Sequence, residues 1–329
     1  MRVARLHGPG DIRVGDEAVP SAGAGESLVR VAAVGLCGSD LHWYDEGGIG
    51  DAQLTRPLVI GHEFAGVVVG GPFDGQLVAV DPAVPCGGCA SCRRGYYNLC
   101  PAVDFAGHGT SDGALREYLA WPTAHLHPLP PGLSAADGAM LEPLGVAVHA
   151  VDLGHVHLGA TVAVVGCGPI GLMLVQLARR AGATRVYAVD PLPHRQAAAE
   201  AFGARPLPSD AELGPIGLAD VVFEVGGTDD ALHTCLLAAR PGARVVLVGI
   251  PSTDRTSFTA AMARRKGLSL VLVRRMNEVY PRAIALVAAG DVDVRSVVTD
   301  RFPLSRASEA LAAAARRGGL KVIVEPDAT

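Results

Sequence analysis

The sequence is poor in aromatic and charged residues, which make up 5% and 19% of its 329 residues. The formal net charge is -5, and no short window holds more than three lysines and arginines, the densest being 263–266. A surface for nucleic acid needs clustered positive charge. We therefore expect no nucleic-acid partner.

Long apolar stretches are also missing. No segment offers about 18 uninterrupted apolar residues, as a membrane-spanning helix requires, and the N-terminal MRVARLHGPGDIRVGDE lacks the apolar core of a signal peptide. We expect a cytoplasmic protein with no membrane partner. Seven cysteines, four of them within fifteen residues, favour metal binding over disulfides in that reducing compartment.

Glycine, proline and small apolar residues are abundant, and the length favours two domains. The first half predicts short strands broken by turns, at 27–34, 67–69, 76–80 and 115–120. The second half alternates apolar strands with alanine-rich helices, and its predicted strands are 161–166, 185–189, 220–225, 244–249 and 268–273. This pattern predicts an α/β fold with a doubly wound parallel sheet.

The C-terminal part predicts two more helices, at 281–289 and 305–315, and a last strand at 321–324. That strand is expected to rejoin the first domain.

A glycine-rich motif, G-x-G-x-x-G, lies between the first of these strands and the helix after it. Such a turn lets the backbone approach a pyrophosphate at a helix N-terminus. Asp190 follows the next strand, where a carboxylate binds the ribose diol and repels a 2′-phosphate, so NAD is preferred over NADP. A turn without a ligand is the alternative, and Arg195 faces either the adenine or ribose or the solvent. The predicted cofactor-binding residues are Gly166, Gly168, Pro169, Ile170, Gly171, Asp190 and Arg195.

Two groups of potential metal ligands predict zinc sites. In PCGGCASCRRGYYNLC the residues Cys86, Cys89, Cys92 and Cys100 offer four thiolates on one loop, which is typical of a closed, structural site. The alternatives are disulfides or free thiols.

The second group of potential ligands is dispersed along the sequence and comprises Cys37, His62, Glu63 and Glu142. Each lies at a turn signal rather than inside a predicted helix. A thiolate, an imidazole and a carboxylate leave one position open on zinc, as catalysis requires. The spacing alone does not establish a metal site, because a lone buried cysteine or a core histidine is ordinarily structural.

At these residues the sequence resembles the zinc-dependent medium-chain alcohol dehydrogenases, most closely the sorbitol (L-iditol) and L-idonate dehydrogenase branch. The resemblance rests on VGLCGSDLHWYDEGGIG, RPLVIGHEFAGVV, MLEPLGVAVHA and TDRFPLSRASEAL with LKVIVEP. It implies a GroES-like, β-rich catalytic domain at 1–144 and 275–329, with a structural-zinc lobe at about 84–101 and an inserted Rossmann domain at 145–274. A homo-oligomer, either a dimer or a tetramer, is implied as well.

By this resemblance Cys37 and His62 are zinc ligands, and Glu63 and Glu142 share the remaining role, directly or through water. Ser39 matches a relay hydroxyl, and His42 matches the histidine that passes the proton onward from Ser39 and the cofactor ribose. The cofactors implied are NAD and two zinc ions per chain, one catalytic and one structural.

The substrate pocket implied by the resemblance includes Trp43, Tyr118 and Arg274, with Asn277 at the asparagine of an R-Y-x-N-like motif. Two positions depart from the family pattern, because Arg275 and Trp43 each replace a tyrosine. The implied reaction is NAD-linked oxidation of a secondary hydroxyl of a small polyol. L-Idonate 5-dehydrogenase and L-threonine 3-dehydrogenase activities are alternatives, and a catalytically silent redox sensor is the alternative without enzyme activity.

Overall fold

A computed structural model describes residues 1–208, 210–213, 217–252 and 255–326. In chain order its strands are β1 Arg2–Gly8, β2 Asp11–Asp16, β3 Glu26–Gly35, β4 Gly48–Ile49, β5 Ala52–Gln53, β6 Glu63–Val69, β7 Leu77–Val80, β8 Ala83–Val84, β9 Asp104–Phe105, β10 Tyr118–Pro122, β11 Leu126–Pro128, β12 Thr161–Val165, β13 Arg185–Val189, β14 Arg205–Pro206, β15 Ala219–Glu224, β16 Ala239–Leu247, β17 Ser269–Leu272, β18 Val298–Pro303 and β19 Lys321–Glu325.

The helices are α1 Gly38–Glu46, α2 Ala90–Arg93, α3 Ala135–Ala139, α4 Leu141–Gly154, α5 Pro169–Arg180, α6 Pro193–Ala201, α7 Asp210–Leu213, α8 Asp229–Ala238, α9 Ala260–Lys266, α10 Tyr280–Ala288 and α11 Ala307–Arg316. Short 3₁₀ turns occupy Tyr97–Leu99, Thr123–His125 and Leu304–Arg306. None of the described helices is long and apolar enough to cross a membrane.

The chain divides into two compact units. The first comprises Met1–Pro143, Tyr280–Gly290 and Val294–Thr329, and the second comprises Leu144–Val279 and Asp291–Asp293. Residues 327–329, which end the predicted catalytic domain, lie outside the described residues.

The first unit is built on a seven-stranded sheet of order β11-β7-β6-β3-β19-β18, with β10 also paired to β3. Buried and more exposed residues alternate along most of β3, where Val29, Val31 and Val34 are fully buried. Strand β19 pairs antiparallel with β3, so the C-terminal strand rejoins the first unit as predicted. The end of β3 thereby places Gly35 opposite Glu63 of β6 and Ile323 of β19.

The second unit contains the predicted parallel sheet, with strand order β14-β13-β12-β15-β16-β17. Strand β12 is central and pairs parallel with both β13 and β15. Its residues Val162, Ala163 and Val164 are fully buried, as expected of a strand covered on both faces. The glycine-rich motif follows β12 directly, at the carboxyl edge where parallel α/β sheets bind ligands.

One local prediction is wrong. Glu142 was expected at a turn, but it lies in the first turn of α4. Pro143 is tolerated there, because the first helical N–H groups have no partner within the helix in any case. The chain passes from the first unit to the second within this helix.

Candidate active site and metal centres

Asp40 connects the segments that carry Cys37 and His62. Cys37 is the N-cap of α1, and Asp40, fully buried three residues later, accepts a hydrogen bond from the Cys37 N–H at 2.9 Å. The same carboxylate accepts from the Gly61 N–H at 3.0 Å and lies 3.4 Å from His62 Nδ1. A carboxylate behind a histidine orients the ring, so Nε2 is the nitrogen presented to a metal.

This pairing also sets the charge around His62. Burial disfavours the imidazolium, but the Asp40 carboxylate raises the pKa of His62 well above its ordinary value. Asp40 is a site residue that was not predicted from the sequence. Its only signal was an acidic residue at the third position of a helix that starts at a candidate ligand, the pattern of a capping box.

Glu63 begins β6 beside His62, and its buried carboxylate forms an ion pair with Lys321 of β19. Their side chains are 1% and 3% exposed. Burial disfavours the ammonium, yet the Glu63 carboxylate raises the pKa of Lys321. Gly35 lies beside both groups: a Cβ there would be 3.0 Å from Lys321 Cε. Lys321 is a second residue of this centre that the sequence analysis missed, and its signal was a lysine inside an apolar terminal strand.

Glu142 supplies a second buried carboxylate near this centre. It is 5% exposed, and burial raises its pKa to about 7, a shift that the Glu63 carboxylate increases and His62 opposes. The ligand atoms of Cys37, His62 and Glu63 all lie within 4.8 Å of one another, a group from which Glu142 is absent.

The donors of this group fit a zinc ion. Sulfur, imidazole nitrogen and carboxylate oxygen are its usual ligands. Oε1 of Glu63 is buried and has no hydrogen-bond partner, which a metal ligand explains. Cys37, the most accessible of the three, is half-buried.

The two predicted relay residues lie on α1. Ser39 Oγ is 3.4 Å from His62 Nε2, so the hydroxyl stands at the candidate metal site. His42, one helical turn later, is partly exposed, and its Nδ1 lies 3.0 Å from Oε1 of Glu46. The helix thus leads from the buried ligands to solvent.

Four cysteines form the second centre, in the loop between β8 and β9, here called the cysteine lobe (84–101). All four sulfur atoms lie within 4.8 Å of one another. The Cys89–Cys92 and Cys89–Cys100 sulfur pairs are 3.4 and 4.0 Å apart, close to the roughly 3.8 Å of a tetrahedral four-thiolate zinc site. None of the seven cysteines, all within the described part of the chain, forms a disulfide.

Local hydrogen bonds shape the cysteine lobe. The N–H of Cys86 donates to Cys100 Sγ at 3.3 Å, and that of Cys92 donates to Cys89 Sγ at 3.4 Å. Backbone donation from Gly88 lowers the pKa of Cys86 to about 6, whereas burial raises that of Cys92 to about 12. The two thiols therefore favour different protonation states. A bound cation removes this difference, because all four sulfurs then lose their protons and bind it as thiolates.

In the second unit, Gly166 adopts φ +101°, and a Cβ there would be 2.8 Å from the Gly226 nitrogen. Only glycine allows both features. Asp190 follows β13, and its Oδ2 accepts a hydrogen bond from the Cys167 N–H at 2.7 Å. The motif glycines and Asp190 thus lie together at the predicted dinucleotide site. Nη1 of Arg195 is 3.6 Å from the position of a Cβ on Gly168, so Arg195 also faces this turn.

Glu224, at the end of β15, is a residue that the sequence analysis missed. It is 3% exposed and accepts a hydrogen bond from the Gly227 N–H at 2.7 Å. Burial raises the pKa of Glu224, while backbone donation from Gly227, Gly226 and Gly249 opposes the shift. Its carboxylate therefore connects the loop after β15 with the loop after β16, at the carboxyl edge of the parallel sheet.

The three predicted substrate residues lie in different settings. Trp43 is 1% exposed, and its ring meets that of His108 edge to face at 5.3 Å. Tyr118 starts β10 and pairs with Arg30 of β3, and Arg30 pairs with Val67 of β6. The candidate zinc ligands lie at the start of β6, so the structure does not group Tyr118 with them. Arg274 follows β17 in the second unit.

Comparisons with known proteins agree with this arrangement. Residues 23–131 match the alcohol dehydrogenase GroES-like domain, and residues 169–289 match the zinc-binding dehydrogenase family. Sorbitol dehydrogenase of Bacillus subtilis (strain 168) is 34% identical over 99% of this chain and 98% of its own.

Solved structures are similar over the whole chain. L-Idonate 5-dehydrogenase from Escherichia coli K-12 superposes with a TM-score of 0.92 at 28% identity, over 98% of this chain and 97% of that one. A zinc-binding dehydrogenase from Sinorhizobium meliloti 1021, bound to NADP, gives 0.90 at 30% identity over 99% of both chains. An alcohol dehydrogenase (rspB) from E. coli CFT073, complexed with NADH, gives 0.90 at 27% identity, also over 99% of both.

Proposed function

Because the chain belongs to the zinc-dependent medium-chain alcohol dehydrogenases, in the branch of sorbitol and L-idonate dehydrogenases, we propose that it oxidises a secondary hydroxyl of a small polyol to a ketone, with NAD as hydride acceptor. The enzyme is accordingly an oxidoreductase. The observation that carries the proposal is the group formed by Cys37, His62 and Glu63, three ligands of the kinds that a catalytic zinc uses.

In this proposal Cys37, His62 and Glu63 hold the catalytic zinc, and the four lobe cysteines hold the structural one. Zinc at the first site supplies Lewis acidity, which lowers the pKa of a bound hydroxyl. Asp40 fixes the His62 ring, and Lys321 neutralises the Glu63 carboxylate, so both act as positioning residues. Glu142 adds a second carboxylate beside these groups, where a water or a substrate hydroxyl requires an acceptor.

Ser39 and His42 carry the proton that the substrate hydroxyl loses. Ser39 Oγ, 3.4 Å from His62 Nε2, is the first group of this proton relay. His42 is partly exposed and adjoins Glu46, so its imidazole exchanges the proton with solvent. The overall reaction converts alcohol and NAD to ketone, NADH and one proton.

The first unit thus acts as the catalytic domain, and the second unit binds the dinucleotide. The Gly166–Gly171 turn, in which Pro169 and Ile170 begin α5, would receive the pyrophosphate of the dinucleotide, and Asp190 would bind the ribose diol. The preference for NAD rests on Asp190, whose charge repels a 2′-phosphate. Arg195 at the same turn favours that phosphate, so the two side chains have opposing effects on cofactor choice.

A sugar acid is the second candidate substrate. It is favoured by the similarity to L-idonate 5-dehydrogenase and by Arg275 beside Arg274, two cations for a carboxylate. In either case the proposed substrate residues are Trp43 and Tyr118 in the first unit and Arg274 in the second.

We propose a cytoplasmic homo-oligomer. The four-thiolate zinc site requires reduced cysteines, which the cytoplasm maintains. Strand β17 lies at one edge of the parallel sheet, and Leu272 at its end is 75% exposed. An edge strand with exposed apolar side chains is a surface that pairing with a second copy covers.

A substrate screen with metal analysis tests the proposed function. We expect NADH formation with sorbitol or xylitol to exceed that with L-threonine, and two zinc ions per chain. A higher kcat/KM for L-idonate than for every polyol would favour the second candidate. NADH formation with none of these substrates, in protein that holds two zinc ions, would contradict both.

A further inference from the structure

Glu224 lies at the point where the order of strands in the parallel sheet reverses. The chain fills the sheet outward from β12 to β14 and then returns to add β15 on the other side of β12, so this switch point lies between β12 and β15. Glu224, the last residue of β15, pairs with Val165, the last residue of β12. Dinucleotides bind in the crevice outside the carboxyl ends of the strands at such a switch point. Glu224 therefore lies at the base of the proposed cofactor site.

The loop after β15 packs directly against the glycine motif, because a Cβ on Gly166 would be 2.8 Å from the Gly226 nitrogen. The loop after β16 adjoins the loop after β15 in turn. A Cβ on Gly227 would be 2.6 Å from the Ile250 carbonyl oxygen. The turn proposed for the pyrophosphate, the loop after β15 and the loop after β16 are therefore in direct contact, in this order.

The Glu224 carboxylate joins these two loops. Its Oε1 accepts a hydrogen bond from the Gly227 N–H at 2.7 Å, and the N–H groups of Gly226 and Gly249 also donate to the carboxylate. Its Oε2 is 2.8 Å from the position of a Cβ on Gly249, so a side chain at that residue would displace the carboxylate. The Glu224 carbonyl accepts from the Val248 N–H at 2.8 Å. Main chain and side chain of one residue thus fix both loops.

Strand stability alone does not require a carboxylate at this position. Glu224 is 3% exposed, and it follows Val222 and Phe223, which are fully buried. A buried carboxylate loses its hydration, and backbone donors must offset that cost, whereas an apolar side chain avoids it. The carboxylate instead provides a fixed relation between two glycine-containing loops, which have few side chains to pack against each other. An apolar residue cannot accept the hydrogen bonds that establish this relation.

We propose that Glu224 is a positioning residue for the dinucleotide, which holds the loops after β15 and β16 in the arrangement that receives NAD at the Gly166 turn. This role rests on the proposed function, since it requires NAD to bind in the second unit. Loss of the carboxylate lowers the fraction of molecules in the binding-competent arrangement, and the apparent affinity for the cofactor falls by the same fraction. Saturating NAD restores that arrangement, so the effect is on cofactor affinity and not on the maximal rate.

Asp220 offers a matched control on the same strand. Its Oδ2 accepts a hydrogen bond from the Thr161 N–H at 2.7 Å, and its side chain forms an ion pair with Arg240. Asp220 lies near the amino end of β15, so it connects neighbouring backbone at the edge of the sheet opposite the crevice. Its replacement should lower the stability of the second unit without moving the cofactor loops.

Fluorescence titration of the zinc-loaded enzyme with NADH tests the role in Glu224→Ala, Glu224→Gln, Asp220→Ala and Asp220→Asn. We expect Glu224→Ala to weaken NADH binding about tenfold, which corresponds to a competent fraction of about one in ten. Glu224→Gln keeps one acceptor oxygen and should lose about threefold. Both Asp220 variants should bind NADH as the wild type does, although their melting temperatures fall. In steady-state kinetics the Glu224 variants should raise KM for NAD, and kcat at saturating NAD should not decrease.

The outcomes separate this role from the proposed function. Wild-type NADH affinity in Glu224→Ala, or an equal loss of affinity in an Asp220 variant of equal melting temperature, would overturn the role of Glu224 and leave the proposed function intact. If Glu224→Ala shows no cooperative melting transition, the comparison of Glu224→Gln with Asp220→Asn decides in the same way. A wild-type enzyme that binds neither NADH nor NADPH would overturn the proposed function, and the role of Glu224 with it.

Discussion

The two proposed zinc sites of the first unit are built in opposite ways. The cysteine lobe takes all four ligands from fifteen consecutive residues and positions them with hydrogen bonds inside the same loop. The catalytic centre takes its residues from α1, β6, α4 and β19 and positions them through a buried sheet. One site is local in sequence, and the other exists only once the sheet has formed.

This difference predicts different dependence on the metal. The lobe has little apolar core, since Tyr96 and Leu99 are each 50% exposed, so zinc supplies much of its order. The catalytic centre is held by Asp40 and Lys321 through hydrogen bonds and an ion pair between protein groups. We expect loss of the lobe zinc to affect stability, and loss of the catalytic zinc to affect turnover.

The largest effect on turnover is expected from Cys37→Ser or His62→Ala. Each removes a catalytic-zinc ligand, and kcat should fall at least about 10³-fold, because the metal contributes several kcal/mol to the reaction. NADH binding should persist, since the glycine motif belongs to the second unit. Steady-state kinetics, NADH fluorescence titration and zinc analysis measure these effects.

Cys235→Ser is the matched control for the cysteine change. Cys235 is buried in α8 of the second unit and belongs to neither candidate metal group. Turnover near the wild-type value in Cys37→Ser or His62→Ala would refute the catalytic-zinc assignment.

Lys321→Met is expected to have the next largest effect. It leaves the Glu63 carboxylate buried without its partner, and breaking a buried ion pair costs about 3–5 kcal/mol. Because the Glu63 side chain would also move, the content of catalytic zinc and the value of kcat should both decrease. Chemical denaturation, zinc analysis and kinetics provide the measurements.

The control for this change is Lys266→Met, at the other buried lysine. Lys266 donates to the carbonyls of Leu236, Leu237 and Ala239 at 2.7–2.9 Å, at the end of α8. It should lower stability without loss of zinc. If Lys321→Met kept both stability and zinc content, Lys321 would have no role in positioning Glu63.

Sequence patterns predicted the local features well, for a physical reason. The parallel strands, the glycine motif and the four cysteines each depend on residues that are neighbours in the chain, and the structure brings each set together as expected. Hydrogen bonds within the four-cysteine loop bring its sulfurs together, so the spacing of the cysteines predicts the site.

The dispersed centre was less predictable. Lys321 meets Glu63 only because β19 pairs with β3, a contact that no local pattern encodes. Asp40 joins the centre through the Gly61 N–H, 21 residues further along the chain, a contact that the local pattern of a helix start does not encode. Glu142 was expected at a turn, whereas it lies in the first turn of α4.

Asp190→Ala should have an intermediate effect, mainly on cofactor use, although it also removes the acceptor of the Cys167 N–H in the glycine motif. Loss of a charge-assisted hydrogen bond to the ribose costs about 1.5–3 kcal/mol, which corresponds to a tenfold or greater loss in kcat/KM for NAD. The value for NADP should fall less, since the repulsion of the 2′-phosphate disappears as well. Arg195→Ala is the complementary variant and should lower NADP use more than NAD use. A wild-type enzyme that already prefers NADP would show that Asp190 does not select the cofactor.

The smallest effect on turnover is expected from Cys92→Ser. It removes a buried ligand of the lobe, so the zinc content should fall from two ions to one and the melting temperature should decrease. At low temperature kcat should stay within about threefold of wild type, because the lobe lies between β8 and β9 and contributes no residue to the catalytic group. Metal analysis, calorimetry and kinetics on one sample compare this variant directly with Cys37→Ser. If Cys92→Ser abolished turnover in protein that kept its catalytic zinc, the two sites would be coupled, and the contrast between a local and a dispersed centre would not extend to their functions.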